Sequence, residues 1–261
     1  MGLTCQWALV HGLFAPVDNW CFNIFMTFNL LDILLNPKTC VVCGSIGTNL
    51  CDKCQKLLPV SDLDLCLICD KPTVDGKIHK FCIQDTLLYT YPEAYFSPFL
   101  YEGLSKKLIT KAKYDKFQLK LLDPLISHPS SVRRLKSLEK KVYVVPVPMT
   151  KKLFNKRKVN QTLYISGKIA EILDTKVLDI LSKNQGVHSQ RGLSKELRIL
   201  NLKGKITLST TSRKLVHGHD VLLVDDVATT GATLLECTKV LKQSGANKVF
   251  CYTLAKDLRY N

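Results

Sequence analysis

Residues 221–235 constrain the fold more than any other stretch of the chain. They read VLLVDDVATTGATLL, and their first four apolar residues predict a buried strand that ends at two adjacent carboxylates, Asp225 and Asp226. A small, hydroxyl-rich turn follows, in which Gly231 is free to adopt a positive φ before a helix opens at Thr233. The stretch therefore predicts a strand, a tight turn and a helix, with an acid pair between the strand and the turn.

These residue types suit a sugar phosphate. Ionised carboxylates only accept hydrogen bonds, so a pair at the carboxyl end of a strand can bind both hydroxyls of a vicinal diol. Backbone N–H groups at a helix N-terminus, helped by threonine hydroxyls, suit a phosphate monoester. The alternative is a buried strand followed by an ordinary polar turn, but all the parts agree in order and spacing. The residues expected to bind a ribose 5-phosphate group are Asp225, Asp226, Ala228, Thr229, Thr230, Gly231, Ala232 and Thr233.

The cysteines predict metal binding. Of 11 cysteines, seven lie between Cys40 and Cys82, and six of those form CxxC pairs. His79 precedes Cys82 at the same interval and supplies a fourth pair. Two thiolates separated by two residues can bind one tetrahedral Zn²⁺ together, so two structural zinc sites are expected. The two predicted ligand sets are Cys40, Cys43, Cys51 and Cys54, and Cys66, Cys69, His79 and Cys82.

Two alternatives to this zinc assignment remain. The cysteines could form a disulfide framework, although no secretory signal precedes them and repeated CxxC pairs in a cytosolic chain favour metal. His79 is either the fourth ligand of the second set or a solvated loop histidine beside a three-cysteine site.

The positive charge of the chain is concentrated in one segment. The formal net charge is +15, and residues 104–158 contain 16 lysines and arginines against 3 acidic residues. A surface of this kind attracts polyanions. The alternative interpretation is that the segment forms a solvated basic face that only aids solubility. The residues expected to track the backbone of single-stranded DNA are Lys106, Lys107, Lys111, Lys113 and Lys116.

Strand and helix patterns alternate in the second half of the chain, which predicts an α/β fold with a doubly wound parallel sheet. Ligand sites in such sheets lie at the carboxyl ends of the strands. The predicted strands are 94–101, 141–147, 176–181, 221–224 and 248–254, and the predicted helical stretches are 106–122, 163–173 and 235–240.

Three regions are expected along the chain: an N-terminal arm at 1–35, a double zinc ribbon at 36–90 and the α/β domain at 91–261. Polar residues interrupt the apolar runs of the arm before they reach membrane-spanning length, and no charged segment precedes them. Neither a transmembrane helix nor a signal peptide is therefore expected. We expect Met26 to be the natural start, with residues 1–25 either untranslated or a disordered arm.

The stretch VDDVATTGAT resembles the 5-phosphoribosyl 1-pyrophosphate (PRPP) signature of type I phosphoribosyltransferases. From about residue 30 onward, the order of the parts resembles the ComF competence proteins of the ComFC type, which join a double zinc ribbon to a phosphoribosyltransferase-like domain. One departure is Lys158-Val159, where the family has Gly-Phe. The segments that carry the resemblance are LITKAKY at 108–114, VPVPM at 145–149, RKVNQ at 157–161 and QRGLSKELRILN at 190–201.

The resemblance implies a cytoplasmic protein, free or peripheral to the inner membrane, that natural transformation requires. It implies contact with incoming single-stranded DNA and with the uptake machinery, and a PRPP-type ligand bound with Mg²⁺. The alternative is a phosphoribosyltransferase of the nucleotide-salvage type that acts on an unidentified acceptor, and no catalytic residue is assigned. The residues expected on the pyrophosphate side of the ligand are Val147, Lys151, Lys152, Arg191 and Arg198.

Overall fold

The computed structural model describes residues 38–85, 90–113, 116–138, 141–184 and 204–258. The predicted N-terminal arm with Met26, and the segment 190–201 with Arg191 and Arg198, lie outside these residues. The chain separates into two compact units, which divide between Cys51 and Asp52. The parallel sheet and the ribose-phosphate stretch belong to the second unit, whereas the proposed boundary near residue 90 stays a prediction.

The second unit is an α/β domain in which short helices and strands alternate. The strands are β1 (Asp64–Leu65), β2 (Pro72–Thr73), β3 (Ala94–Phe96), β4 (Phe99–Leu100), β5 (Tyr143–Pro146), β6 (Leu181–Lys183), β7 (Ile206–Leu208), β8 (Val221–Ala228) and β9 (Val249–Lys256). The helices are α1 (Asp52–Gln55), α2 (Lys80–Asp85), α3 (Gly103–Lys111), α4 (Asp123–Ile126), α5 (Pro129–Lys136), α6 (Lys151–Arg157), α7 (Gln161–Leu173), α8 (Thr210–Val216) and α9 (Ala232–Gln243), with a 3₁₀ helix at Lys116–Leu122.

Five parallel strands form the central sheet. Its order is β3-β9-β8-β5, and β4 also pairs with β9. The four apolar residues Val221 to Val224 on β8 are each 0% exposed, as expected for a central parallel strand covered on both faces. The predicted α/β fold with a parallel sheet is confirmed.

Helix α9 covers the sheet because its apolar residues recur at helical spacing. Leu234, Cys237 and Leu241 are all buried, and they lie three and four positions apart along one face. The helix ends where Gly245 adopts a positive φ of 91°. This helix thereby holds its own N-terminus against the carboxyl end of β8.

The predicted strand 94–101 is divided into β3 and β4, and three other predicted elements also differ from the structure. Strand β8 runs on to Ala228 rather than ending at Val224, because β9 continues beside it and supplies backbone partners as far as Lys256. The predicted helical stretch 106–122 is split into α3 and the 3₁₀ helix. The predicted strand 176–181 makes only one parallel bridge, from Val177 to β5, and its end instead enters the two-stranded antiparallel pair β6-β7.

No helix in the described part of the chain has the length and apolar character needed to cross a bilayer.

Candidate functional site

The acid pair lies where the sheet narrows. Pro146, the last residue of β5, pairs with Val224 of β8, and the N–H of Val147 then donates to the Val224 carbonyl at 2.8 Å. Beyond this point β8 continues with only β9 as its partner in the described sheet. Asp225 and Asp226 follow immediately, so both lie at the carboxyl edge of the sheet, where one flank of β8 is no longer covered by a strand.

Asp225 is held by two hydrogen bonds and is poorly hydrated. Its Oδ1 accepts from the Thr162 hydroxyl at 3.3 Å and from the N–H of Asp226 at 2.8 Å. Burial, and next the charge of Asp226, raise the pKa of Asp225 to about 7. At neutral pH Asp225 is therefore only about half ionised, and a ligand that brings cations or hydroxyl donors would favour its carboxylate form.

Two lysines flank the acid pair. Lys113 Nζ lies 3.2 Å from Asp226 Oδ2, and both side chains are largely buried. Burial opposes the charge of Lys113, but the Asp226 carboxylate outweighs it and raises the pKa of the ammonium. Lys183 on β6 is near enough to feel the charge of Asp225: burial lowers the pKa of this lysine, and Asp225 acts in the opposite direction. The site thus contains two carboxyl groups and two lysine side chains.

The turn after β8 leads directly into the N-terminus of α9. Gly231 adopts φ +74° and immediately precedes α9, which is 12 residues long. The N–H groups of the first turn of a helix have no partner within the helix and point outward from its N-terminus. Thr230 is buried, while Thr229 and Thr233 are only partly buried and lie nearest to solvent. The predicted loop conformation therefore agrees with the structure at Gly231.

The predicted pyrophosphate-side residues are placed on and after β5. Val147 is buried directly after β5, and Lys151 and Lys152 are exposed in the first turn of α6. Thr150 caps this helix by accepting from the N–H of Leu153 at 3.2 Å. Arg191 and Arg198 lie outside the described residues.

The segment RKVNQ has a structural role in joining α6 to α7. Lys158 takes the left-handed conformation, with φ +58°, at the position where the resembled family has glycine. Asn160 then caps α7 by accepting from the N–H of Leu163, and the Gln161 amide donates to the Ile109 carbonyl at 2.9 Å in the interior. The backbone turn expected of glycine is therefore kept here by a lysine, in a conformation that L-residues rarely adopt.

Both predicted ligand sets come together as clusters. In the first cluster, formed by Cys40, Cys43, Cys51 and Cys54, all four sulfur atoms lie within 4.8 Å of one another. Backbone hydrogen bonds, first from Cys43 and then from Cys51, lower the pKa of the Cys40 thiol to about 6, which favours the thiolate that metals bind. The cysteines in the described part of the chain form no disulfide bonds.

The second cluster contains Cys66, Cys69, His79 and Cys82, with the same maximum separation of 4.8 Å between ligand atoms. His79 Nδ1 lies 3.2 Å from Cys69 Sγ, and its Nε2 lies 3.1 Å from the Pro72 carbonyl. A backbone acceptor on the second ring nitrogen is the usual way in which a metal-binding histidine is oriented. Four thiolates in the first cluster, and three thiolates with one imidazole in the second, are donor sets that fit a structural Zn²⁺.

The predicted DNA-binding lysines are not on one surface. Lys106, Lys107 and Lys111 are exposed on α3, opposite the buried Leu104 and Leu108. Lys113, by contrast, lies in the ion pair with the acid pair, and the side chain of Lys116 lies outside the described residues.

Thr162, Lys113 and Lys183 are the residues of the site that the motif did not identify. Thr162 and Lys183 occur singly in ordinary apolar and polar surroundings, so nothing in the sequence distinguishes them. Lys113 was recognised as basic but assigned to another surface, because its pairing with a residue more than a hundred positions away is visible only in the fold.

Comparisons with known proteins found one family model and several curated relatives. A family model described as phosphoribosyl transferase domain matches residues 160–260, which include the acid pair and the turn. Competence protein F of Haemophilus influenzae is 33% identical over 114 residues, which cover 43% of this chain and 49% of that protein. DNA utilization protein YhgH of Escherichia coli is 28% identical over 127 residues, or 48% of this chain and 54% of that protein.

Competence protein ComFC of Bacillus subtilis is similar over nearly its whole length. It is 24% identical over 259 residues, which cover 95% of this chain and 97% of that protein. The chain spans about half the length of the first two relatives. Among solved structures, a hypoxanthine phosphoribosyltransferase of Staphylococcus aureus aligns with a TM-score of 0.34 and 15% identity, over 62% of this chain and 71% of that chain.

Proposed function

We propose that this chain, a homologue of competence protein F and ComFC that carries a phosphoribosyl transferase domain, binds a PRPP-type ligand at the β8–α9 turn while handling single-stranded DNA during natural transformation. The names of the relatives support a role in competence and DNA use.

The position of the acid pair relative to the turn is the observation that carries the ligand proposal. Asp225 and Asp226 lie at the open carboxyl edge of the sheet, and the turn that leads from them into α9 presents N–H groups and threonine hydroxyls. A ribose 5-phosphate needs both features on neighbouring elements, since its diol carries hydrogen-bond donors and its phosphate carries acceptors. A simple phosphate or a free sugar would use only one of them.

Lys113 can neutralise either Asp226 or an anionic group of the ligand. In the ligand-free protein its ammonium neutralises Asp226 at 3.2 Å. A ribose diol that reaches Asp226 competes with this ion pair, and Lys113 is then available for an anionic oxygen of the same ligand. Mg²⁺ bound together with PRPP would supply charge neutralisation at the pyrophosphate, and the carboxylates of Asp225 and Asp226 are hard oxygen ligands of the kind that this cation prefers.

The ligand proposal is tested with Asp225→Asn and Asp226→Asn. Each variant keeps the size of the side chain and removes one charge, so the fold should survive while each lost charge-assisted bond weakens PRPP binding by on the order of 1–3 kcal/mol. The measurement is calorimetric titration with PRPP and Mg²⁺. Asp62→Asn, at an exposed acid remote in sequence from the site, is the matched control and should bind as the native protein does. Native affinity in both site variants would refute the assignment.

The domain match favours phosphoribosyl transfer as a second candidate function. The two candidates differ in turnover, because a transferase releases pyrophosphate when a suitable acceptor base is present. The DNA-handling function instead predicts that the Asp225→Asn/Asp226→Asn double variant lowers transformation frequency while neither form of the protein turns over PRPP. Pyrophosphate release by the native protein with any of the common bases, lost in the double variant, would decide for the transferase.

The proposed DNA contact rests on the exposed lysines of α3. Lys107 and Lys111 are four positions apart and lie on the same face of the helix, beside Lys106. Helix α6 adds a second basic surface, since none of its residues is buried and it carries Lys151, Lys152 and Lys156. Point charges on such surfaces bind a phosphate backbone without reading its sequence.

A further inference from the structure

We propose that the segment 66–82, called here the second knuckle, forms one wall of the phosphate-binding turn and that Asp70 and Lys256 transmit its shape to that turn. The metal bound by the second cluster would then set the affinity of the ligand site as well as the stability of the knuckle. This inference rests on the proposed function, because it concerns the same turn.

An apolar contact joins the second knuckle to the turn. Leu67, which follows the ligand Cys66, is 0% exposed. A Cβ atom placed on Gly231 would lie 2.8 Å from both Cγ and Cδ1 of Leu67, and 3.2 Å from its carbonyl oxygen. The backbone of the turn therefore rests directly on a residue adjacent to a metal ligand, with no room for even one methyl group between them.

A buried ion pair makes a second connection. Asp70 follows the ligand Cys69, and its N–H donates to the Cys66 carbonyl at 3.0 Å, which closes the knuckle. Its carboxylate lies 2.8 Å from the ammonium of Lys256, at a place where the two side chains are only 7% and 1% exposed. The same ammonium donates a hydrogen bond to the carbonyl of Thr229, in the turn itself.

This arrangement orients the turn. Lys256 is the last residue of β9 and pairs with Ala228, so its ammonium reaches the turn from the strand beside it. A buried ammonium requires a charged partner, and Asp70 supplies it from the knuckle. With its carbonyl bound by Lys256, Thr229 has its peptide plane fixed, and the direction of the following N–H groups depends on that plane.

The second knuckle is also continuous with the core beneath the turn. Cys66, Leu67 and Cys82 belong to the same apolar cluster as Leu223 on β8 and Leu234 on α9. The second knuckle has 17 residues, 66 to 82, and contains one strand of two residues, β2, so four ligands around one metal ion are what would hold its shape. Loss of the metal would therefore displace Leu67 and Asp70 together.

The deciding comparison is between two aspartates of the second knuckle. Asp70 and Asp75 both adopt left-handed backbone conformations, with φ of 58° and 52°, which asparagine also tolerates. Asp75 is exposed, and its carboxylate lies 3.9 Å from the ammonium of the exposed Lys77. Asp70→Asn and Asp75→Asn therefore make the same chemical change at matched backbone positions, and only the first breaks the connection to the turn.

The experiment uses the full-length, zinc-loaded protein. Metal analysis first establishes that both variants keep the zinc content of the native chain. Amide hydrogen exchange of residues 229–233 then reports on the turn without any ligand, and calorimetry reports PRPP affinity. Asp70→Asn should accelerate exchange in the turn and weaken PRPP binding by about tenfold or more, since a buried charge loses its partner. Asp75→Asn should change neither.

A double variant separates positioning from simple destabilisation. Asp70→Asn combined with Lys256→Met removes the buried ammonium as well, so the thermal midpoint should recover relative to Asp70→Asn alone. PRPP affinity should stay low in the double variant, because the bond from Lys256 to Thr229 is missing. Recovery of both quantities together would show that Asp70 acts only through stability and would overturn the proposal.

Failure of this inference is distinct from failure of the proposed function. Unchanged exchange at 229–233 and unchanged affinity in a zinc-loaded Asp70→Asn protein would overturn the link between the second knuckle and the turn. A native protein that binds no PRPP, but whose turn exchanges faster in Asp70→Asn, would refute the proposed ligand and support the link.

Discussion

Gly231→Ala is expected to be the most informative single substitution in the chain. Two costs combine at this position. The left-handed conformation, φ +74°, costs an L-residue about 1–2 kcal/mol. The added methyl group would also lie 2.8 Å from two carbon atoms of Leu67, and overpacking of this kind in a rigid interior costs about 1–3 kcal/mol more. The free energy of unfolding should therefore fall by about 2–5 kcal/mol.

Gly218→Ala is the matched control for this prediction. Gly218 has the same φ of +74°, but a Cβ atom built on it has no neighbour within 4 Å. Its alanine variant carries the backbone cost alone, and any gain from a less flexible unfolded chain is common to both variants. The difference between the two free energies of unfolding, measured by urea denaturation, isolates the overlap with Leu67.

A double-mutant cycle identifies the partner of the added methyl group. Leu67→Ala alone should cost about 2–5 kcal/mol, as for other buried leucines. In the Gly231→Ala background it should cost about 1–3 kcal/mol less, because the truncated side chain relieves the overlap. The reasoning fails if Gly231→Ala is no more destabilising than Gly218→Ala, or if the two substitutions in the cycle are additive.

Further outcomes are expected for pH, backbone strain, DNA and metal. Asp225 has a pKa of about 7 in the folded protein and of 3.8 in the unfolded chain, so the unfolded chain loses this proton at lower pH. The free energy of unfolding should therefore fall as pH rises between these two values. The urea midpoint of Asp225→Asn should lack this part of the pH dependence. PRPP affinity should rise over pH 6 to 8, as the carboxylate ionises. Lys158→Gly should raise the free energy of unfolding by about 1 kcal/mol, since it removes a left-handed lysine; no gain in the urea midpoint would contradict this. The Lys107→Glu/Lys111→Glu variant should bind single-stranded DNA more weakly, and the dependence of its affinity on salt should be less steep, as expected for the loss of roughly two phosphate contacts. If the variant bound DNA as well as the native protein at moderate salt, the lysines would form only a solvated basic face. Metal analysis should find two zincs per chain, and chelation should unfold the metal-binding segment; one zinc, or none, would contradict the pairing of the ligands.

Local patterns in the sequence predicted the parts of the molecule that depend on neighbouring residues. The apolar run before Asp225 identified the central strand, because a strand buried on both faces needs consecutive apolar side chains. Gly231 predicted the left-handed turn, since few other residues adopt that conformation. The spacing of the CxxC pairs predicted both ligand clusters, because two thiolates in one tight turn already approach the geometry that a tetrahedral metal requires.

Contacts between residues far apart in the sequence decided the remaining features of the fold and of the candidate site. The length of β8 depends on how far β9 runs beside it, which no residue of β8 reveals. Lys113 meets Asp226, and Asp70 meets Lys256, across separations of more than a hundred residues. A lysine in the sequence carries no sign of whether it will face solvent or a buried carboxylate. Only the fold decides this, because the free energy of burying a charge depends on which partner the tertiary structure brings within a few ångströms of it.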